Sequence, residues 1–250
     1  MILGVIPARW ASSRFPGKPL AEIAGKPMLW HVYQRCVEAA CLDRIVVATD
    51  DERISDACTH YSLDWTMTQA YHPTGTDRVA EVATHIPAEY YINVQGDEPL
   101  VAPSAISAIV EARRSGRLPT NGCAEITDLA DLIDITVPKV VVAPDWTAIY
   151  LSRWAIPYPK SRTTPHYSQV CVYGFDRGDL EWYARTPPGP LELAEGIEVL
   201  RFLEHGRDVH IVKVPPSLVA VDTPADLERA RRILGSRTQV PNVSSTSRST

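Results

Sequence analysis

Residues 1–28 read MILGVIPARWASSRFPGKPLAEIAGKPM, and the order of patterns in this stretch decides the fold. Ile2 to Ile6 is a short apolar run, as in a strand covered on both faces. It gives way to a loop, ARWASSRFPGKPL, that carries Arg9, Arg14 and Lys18 among small residues. A helical pattern then runs from Met28 to Ala40. Turns need glycine and proline, but three cations in ten residues repel one another unless something negative sits between them. A buried strand, a cationic loop and a helix form the first unit of a parallel sheet that holds an anion beyond its strand ends.

Outward from this unit the alternation continues. RIVVATD reads as a buried strand ending in Asp50, and DERISDACTHY as the next helix. A helix begins near Gly75, YYINVQGDEPL is a strand that breaks at Gln95 and Gly96, and SAISAIVEARRSG is another helix. The pattern predicts an α/β fold: a mostly parallel sheet, right-handed crossovers and helices on both faces. Between about residues 140 and 190 the rhythm changes. KVVVAPDWTAIYLSRWAIPY and QVCVYGFD read as strands joined by proline-containing turns, which predicts a small antiparallel inserted lobe or dimerisation arm. PLELAEGIEVLRFLEHG then reads as one amphipathic helix and HIVKVP as a strand. DTPADLERARRIL is a helix capped by Asp222 or Thr223, with Pro224 near its first turn. Residues 1–234 are expected to form a single domain, and the serine- and threonine-rich residues 235–250 a disordered tail.

Composition narrows the function. With 250 residues and 45% hydrophobic side chains the chain builds a substantial core. A net charge of -5 argues against a broad nucleic-acid footprint, so the cations of the first loop suit a phosphate-sized ligand. Five cysteines without a CxxC pair argue against a disulfide framework or a zinc site. The first apolar run is too short for a signal peptide, and none approaches the roughly 18 residues of a membrane span. A soluble cytoplasmic protein is expected.

Three constellations carry chemistry. In the first loop Ala8, Ala11, Ser12, Ser13 and Gly17 let the backbone approach a phosphate, while Arg9, Arg14 and Lys18 neutralise it. GxxxxGK[ST] is missing, since Gly17 and Lys18 are followed by Pro19, and GxGxxG is absent as well. The second is NVQGDEP, residues 93–99, whose Asp97 can present a carboxylate to Mg2+, with Asp222 of VDTPADL as a second. Glu98 alone is explained as part of an acidic turn. The third is HPTGTDRVAEV, residues 72–82, where Thr74, Gly75 and Thr76 suit a base edge or a sugar and Asp77 and Arg78 open a helix. An ordinary helix start explains it equally well by itself.

IPARWASSRFPGKPL, HPTGTDRVAEV, NVQGDEPL, KVVVAPDWTAIYLSRWAIPYP, PLELAEGIEVLRFLEHG and VDTPADLE occur in this order. In that order the chain resembles the 3-deoxy-manno-octulosonate (KDO) cytidylyltransferases, or CMP-KDO synthetases, over nearly all of residues 1–234. The resemblance implies a Rossmann-like nucleotidyltransferase fold, a homodimer made through the inserted lobe, and Mg2+-dependent transfer of CMP from CTP with release of pyrophosphate. It implies that Arg9 and Lys18 bind the triphosphate with Arg14 nearby. Thr74, Gly75, Thr76 and Arg78 would lie beside the cytidine, Gln95 near the nucleotide or acceptor, and Arg153 and Glu198 near the acceptor. Asp97 and Asp222 would be the metal-binding pair, and with Lys18 the catalytic set.

On the acceptor side the chain departs from the family pattern. Gln169 stands where a histidine is usual, Val199 where the helix usually has glutamine, and Trp154 where the residue after the arginine is usually small. These changes would remove hydrogen-bonding groups and add bulk, and each buried hydroxyl left unpaired costs about 1–3 kcal/mol. They leave open a smaller acid, such as the phosphonate phosphonoformate, as the acceptor in place of KDO, with Trp154 and Gln169 in the acceptor pocket. A non-catalytic CTP-binding module, or an adenylyl or uridylyl transferase on the same fold, are the other readings.

Overall fold

A computed structural model describes residues 1–12, 15–116, 118–158, 160 and 164–238. In chain order the elements begin with β1 (Ile2–Ala8), a 3-10 turn at Lys18–Leu20, and the two-residue strands β2 (Glu22–Ile23) and β3 (Lys26–Pro27). Next come α1 (Met28–Glu38), β4 (Arg44–Thr49), α2 (Glu52–His60), β5 (Trp65–Met67), α3 (Gly75–His85), β6 (Tyr90–Val94) and α4 (Pro103–Arg114). The second half holds β7 (Thr120–Glu125), α5 (Leu129–Ile133), β8 (Lys139–Val142), β9 (Ala148–Ser152), β10 (Tyr167–Phe175) and α6 (Arg177–Arg185). It ends with α7 (Pro190–Glu195), α8 (Leu200–Glu204), β11 (His210–Lys213) and α9 (Pro224–Thr238).

Among the described residues one nine-stranded sheet runs β11-β7-β10-β6-β1-β4-β5, with β8 and β9 attached off β10. β1 pairs in parallel with β4 and with β6, and β4 with β5, as the buried apolar runs require. Both faces of β1 are covered. Leu3 and Val5 face a core completed by Val79 of α3, Tyr183 of α6 and Phe202 of α8. Ile2 and Ile6 face a second core with Leu29 of α1, Ile54 of α2 and Ile106 of α4. Helices therefore lie on both faces of the sheet, as expected. A third cluster joins Ile23, Met28, Leu100 and Val221 to Leu227 and Leu234 of α9.

Three expectations need correction. QVCVYGFD is not confined to an inserted lobe: β10 lies inside the main sheet, antiparallel to β6 on one side and β7 on the other. The lobe that remains is the β8–β9 pair, antiparallel and joined to Tyr167 and Ser168 of β10, and α6 also falls within 140–190. PLELAEGIEVLRFLEHG is two short helices, because Gly196 adopts a left-handed φ of 61° and turns the chain between α7 and α8. The last helix extends past residue 234 to Thr238, and residues 239–250 of the expected tail lie outside the described residues. Thr223, rather than Asp222, caps α9: its hydroxyl accepts from Asp226 N at 3.3 Å, and Asp226 Oδ2 accepts from Thr223 N at 2.8 Å. Among the described residues no helix is long and apolar enough to cross a membrane.

The seating of β10 depends on Gly174. A Cβ there would lie 2.5 Å from Thr120 Oγ1, 2.7 Å from Arg113 Cγ and 2.8 Å from Ile109 Cγ2. Gly174→Ala is expected to destabilise the protein by about 1–3 kcal/mol through overpacking, read as a lower midpoint in urea at unchanged slope.

Candidate active site

From β1 the chain crosses through α1 to β4 on one side, whereas β6 lies on the other side of β1 and leads through α4 to β7. Loops leaving adjacent parallel strands in opposite directions open a crevice at their carboxyl ends. The loop after β1 and the turn after β6 meet there. Arg9, Lys18, Asp97 and Asp222 line the same cavity, about 830 Å³ in volume, a size that suits a nucleotide with a second small substrate.

The first loop is closed by Trp10 and Gly17. Gly17 N donates to Trp10 O at 3.0 Å, and Gly17 has φ 72°. A Cβ there would fall 2.8 Å from the Trp10 ring, so glycine is needed for both reasons. Arg53 stacks on Trp10, 3.5 Å from the ring centroid, and is itself held by Asp51. The closed loop sends Lys18 inward. Its Nζ donates to Asp97 Oδ2 at 2.6 Å, to Asp222 Oδ1 at 3.1 Å and to Val221 O at 3.1 Å. Burial works against its positive charge, but the two carboxylates more than offset that and raise its pKa above the ordinary lysine value.

The two carboxylates and the Val221 carbonyl surround the Lys18 ammonium with oxygen atoms alone, and carboxylate oxygens are the donor chemistry that Mg2+ takes. No group of three or more His, Cys, Asp or Glu side chains among the described residues could hold a metal. A pair of carboxylates still suffices for Mg2+, which fills its remaining positions with water and phosphate oxygens.

The other predicted residues divide. Thr74 and Gly75 line the cavity at the start of α3, where Thr74 Oγ1 accepts from Asp77 N at 3.1 Å as the helix cap. Thr76 does not reach the cavity. It is 1% exposed, and its hydroxyl donates to Glu198 Oε2 at 2.5 Å. Glu198 Oε1 also accepts from Gly75 N at 3.0 Å and Oε2 from Thr76 N at 2.9 Å. Withdrawal of this carboxylate from solvent raises its pKa, and the bonds from Thr76 and Gly75 offset part of the rise. Arg78 lines the cavity with its charge already engaged by Asp50 at 2.9 Å and by the Thr68 hydroxyl. Gln95 lines it too, its Nε2 3.4 Å from Glu198 Oε1.

Of the residues expected near an acceptor, Arg153, Gln169 and Glu198 line the cavity. Arg153 is fixed by donation from Nε to Glu195 O at 2.6 Å and from Nη1 to Ile135 O at 3.0 Å. Trp154 was expected beside it, but in the bend that follows β9 its side chain turns out: Trp154 is 76% exposed and lines no part of the cavity. Val199 is buried in the core. Ser12 lies off the cavity, accepting from Phe15 N at 3.3 Å within its own loop. Arg14 falls outside the described residues.

Sequence reasoning set Glu98 aside, and the structure brings it back. It is 2% exposed, lines the cavity next to Asp97, and accepts from the hydroxyl of Ser217. Burial, with the charges of Asp97 and Asp222 nearby, pushes its carboxyl up to about 7. A sequence gives no sign of this, because an acidic residue after a strand is most often solvated.

The family model for cytidylyltransferases matches residues 3–209 of the chain. A 3-deoxy-manno-octulosonate cytidylyltransferase of Solibacter usitatus (strain Ellin6076) is 45% identical over 236 residues, 93% of this chain and 94% of that protein. Another, of Geobacter metallireducens, is 42% identical over 243 residues, 91% of this chain and 95% of that protein. Among solved structures, a CMP:2-keto-3-deoxy-manno-octonic acid synthetase complexed with CTP superposes with a TM-score of 0.89 at 36% identity. The match covers 94% of this chain and 99% of that one. A 4-diphosphocytidyl-2C-methyl-D-erythritol synthase from Anaerococcus prevotii, at 16% identity and a TM-score of 0.62, shares the fold.

The Glu98 environment predicts a pH signature. Its folded pKa of about 7 lies above the ordinary glutamate value of 4.5, so the folded protein holds this proton more tightly than the unfolded chain. Stability from this group is therefore full below pH 4.5 and is lost as pH rises through 7. Glu98→Gln, which does not ionise, should match the wild type near pH 4.5. It should gain on it up to about 3 kcal/mol by pH 8, measured by denaturant unfolding without added metal. A constant difference across that range would contradict the assignment.

Proposed function

The chain belongs to the cytidylyltransferase family and is a nucleotidyltransferase. On that premise we propose that it transfers CMP from CTP to KDO, with release of pyrophosphate and with Mg2+ held by Asp97 and Asp222. The observation that carries this reading is the meeting of Lys18, Asp97 and Asp222 in one cavity with Arg9. Cationic and anionic groups there can hold the polyphosphate and its metal together. In the reaction a hydroxyl oxygen of the acceptor attacks the α-phosphorus of CTP. The new P–O bond forms as the bond to the bridging oxygen of pyrophosphate breaks, and the hydroxyl proton passes to solvent.

Lys18 and Arg9 face the triphosphate and take up the charge that builds on it and on the departing pyrophosphate. Thr74 and Gly75 form the wall for the nucleoside. Arg153 faces the acceptor, where a carboxylate is a matching charge. When bound, Mg2+ supplies Lewis-acid stabilisation of phosphate charge.

A smaller acid such as phosphonoformate rests on weaker ground. Of the three residues that suggested it, Trp154 points to solvent and Val199 lies in the core, which leaves Gln169. From α5 to just past β9 the large apolar side chains of Leu129, Ile133, Ile135, Ile149 and Trp154 are exposed, which supports assembly as a homodimer through this region. Sedimentation should then give twice the mass of one chain, and Ile149→Asp should shift it to the monomer.

Pyrophosphate release from CTP and Mg2+ over a panel of KDO, sialic acid and small phosphonates tests the activity. Turnover with KDO is expected, and turnover with phosphonates alone would overturn the acceptor. Asp97→Asn should lower kcat by about 100-fold or more while CTP affinity stays within about tenfold, and Lys18→Ala should weaken both. Wild-type rates in Asp97→Asn would remove that carboxylate from the mechanism.

A further inference from the structure

Because β10 runs antiparallel to β6, its first half continues beyond the point where β6 ends, and Gln169 stands on that overhang in the cavity wall. Its side chain is oriented by one neighbour. Asn121 of β7 is fully buried, and its Nδ2 donates to Val170 O at 2.9 Å and to Val172 O at 3.1 Å, across the stretch where the β10–β7 register shifts. Only the nitrogen end of an amide can donate, so two carbonyl partners fix which way Asn121 faces. Its Oδ1 must then point to Gln169, and only the Nε2 of Gln169 can answer it, at 2.9 Å. The glutamine is thereby oriented in turn. Its Oε1 is directed away from Asn121 and accepts no hydrogen bond from any described residue, on a half-buried side chain that lines the cavity.

We propose that Gln169 is a specificity-determining residue: locked by Asn121, it presents a fixed amide oxygen that accepts a hydrogen bond from one hydroxyl of the acceptor. The inference rests on the KDO reading given above and narrows it to acceptors that carry a hydroxyl donor at this point. A histidine, usual here in the family pattern, can donate or accept by changing tautomer or taking a proton. Gln169 has no such freedom. A fully ionised phosphonate without a hydroxyl would set its oxyanion against the lone pairs of Oε1, an unfavourable meeting. The same residue that sequence reasoning counted towards a smaller acid therefore favours a polyhydroxy one.

The test compares KDO with its singly deoxygenated analogues on the wild type and on Gln169→Met. In the wild type, loss of one particular hydroxyl should lower kcat/KM by about tenfold or more. In Gln169→Met, KDO itself should fall by a similar factor through KM, that analogue should lose nothing further, and KM for CTP should stay within about twofold. Gln169→Ala, which adds no bulk, carries the same comparison if the Met variant does not fold. An unchanged KM for KDO in the variants, or a hydroxyl that counts equally with and without Gln169, overturns the inference alone. Absence of any pyrophosphate release with KDO in the wild type overturns the function on which it rests.

Discussion

The ammonium of Lys18 joins three segments that are far apart in the chain. Asp97 lies 79 residues away and Asp222 lies 204 residues away, yet both accept from the one nitrogen. Two carboxylates brought together without a cation would repel, and burial would strengthen the repulsion. Lys18 removes that cost and at the same time fixes the spacing of the pair. The backbone repeats the link, since Val221 N donates to Asp97 O at 2.9 Å. Beneath it, Val221 packs with Leu100 and with Leu227 of α9, so the last helix serves the site by holding the Asp222 loop against the turn after β6. Glu98 adds a third tie through Ser217. The cavity is thus closed by contacts of three kinds between the same two loops.

The parallel core was legible in the sequence because strands covered on both faces leave unbroken apolar runs, and Ile2–Ile6, RIVVATD and YYINV are such runs. The cationic loop was legible because charge at the end of a buried strand has few structural uses. The position of β10 was not. An antiparallel strand between two parallel neighbours is set by pairing with β6 and β7, and nothing local in YSQVCVYGF distinguishes it from a strand of a separate lobe. The break between α7 and α8 was hidden for a related reason. Leu191 and Leu193 before the turn and Ile197, Leu200 and Phe202 after it keep an apolar spacing in the sequence, although only the latter three enter the core.

Among site residues, spacing gave position and left direction open. Thr76 and Trp154 sit next to residues that line the cavity, Gly75 and Arg153, yet one turns into the protein and the other out to solvent. Trp10, which closes the first loop onto Gly17, was missed because an aromatic residue in a loop carries no charge and no motif. Asn121 was missed for want of any signal, since its importance lies in which carbonyls it finds across the sheet.

The cavity has two anion-attracting features, the first loop and the amino end of α3, and they differ in what already occupies them. The amino end of α3 begins at the cavity wall with Thr74 and Gly75, and helix ends with free NH groups ordinarily bind phosphate. Here Gly75 N and Thr76 N are already bonded to the carboxylate of Glu198, which occupies the place an incoming phosphate would take. A buried network holds that arrangement: Arg201 donates to Asp77 at 2.9 Å and to Glu192 at 2.7 Å, tying the first turn of α3 to α7 and α8. With the helix end neutralised by the protein's own carboxylate, it presents polar but uncharged groups, Thr74 and Gly75, as suits a base or a sugar. The cations Arg9 and Lys18 come instead from the segment after β1, with Arg9 Nη1 reaching Pro73 O at 3.5 Å beside Thr74 and Lys18 held between Asp97 and Asp222.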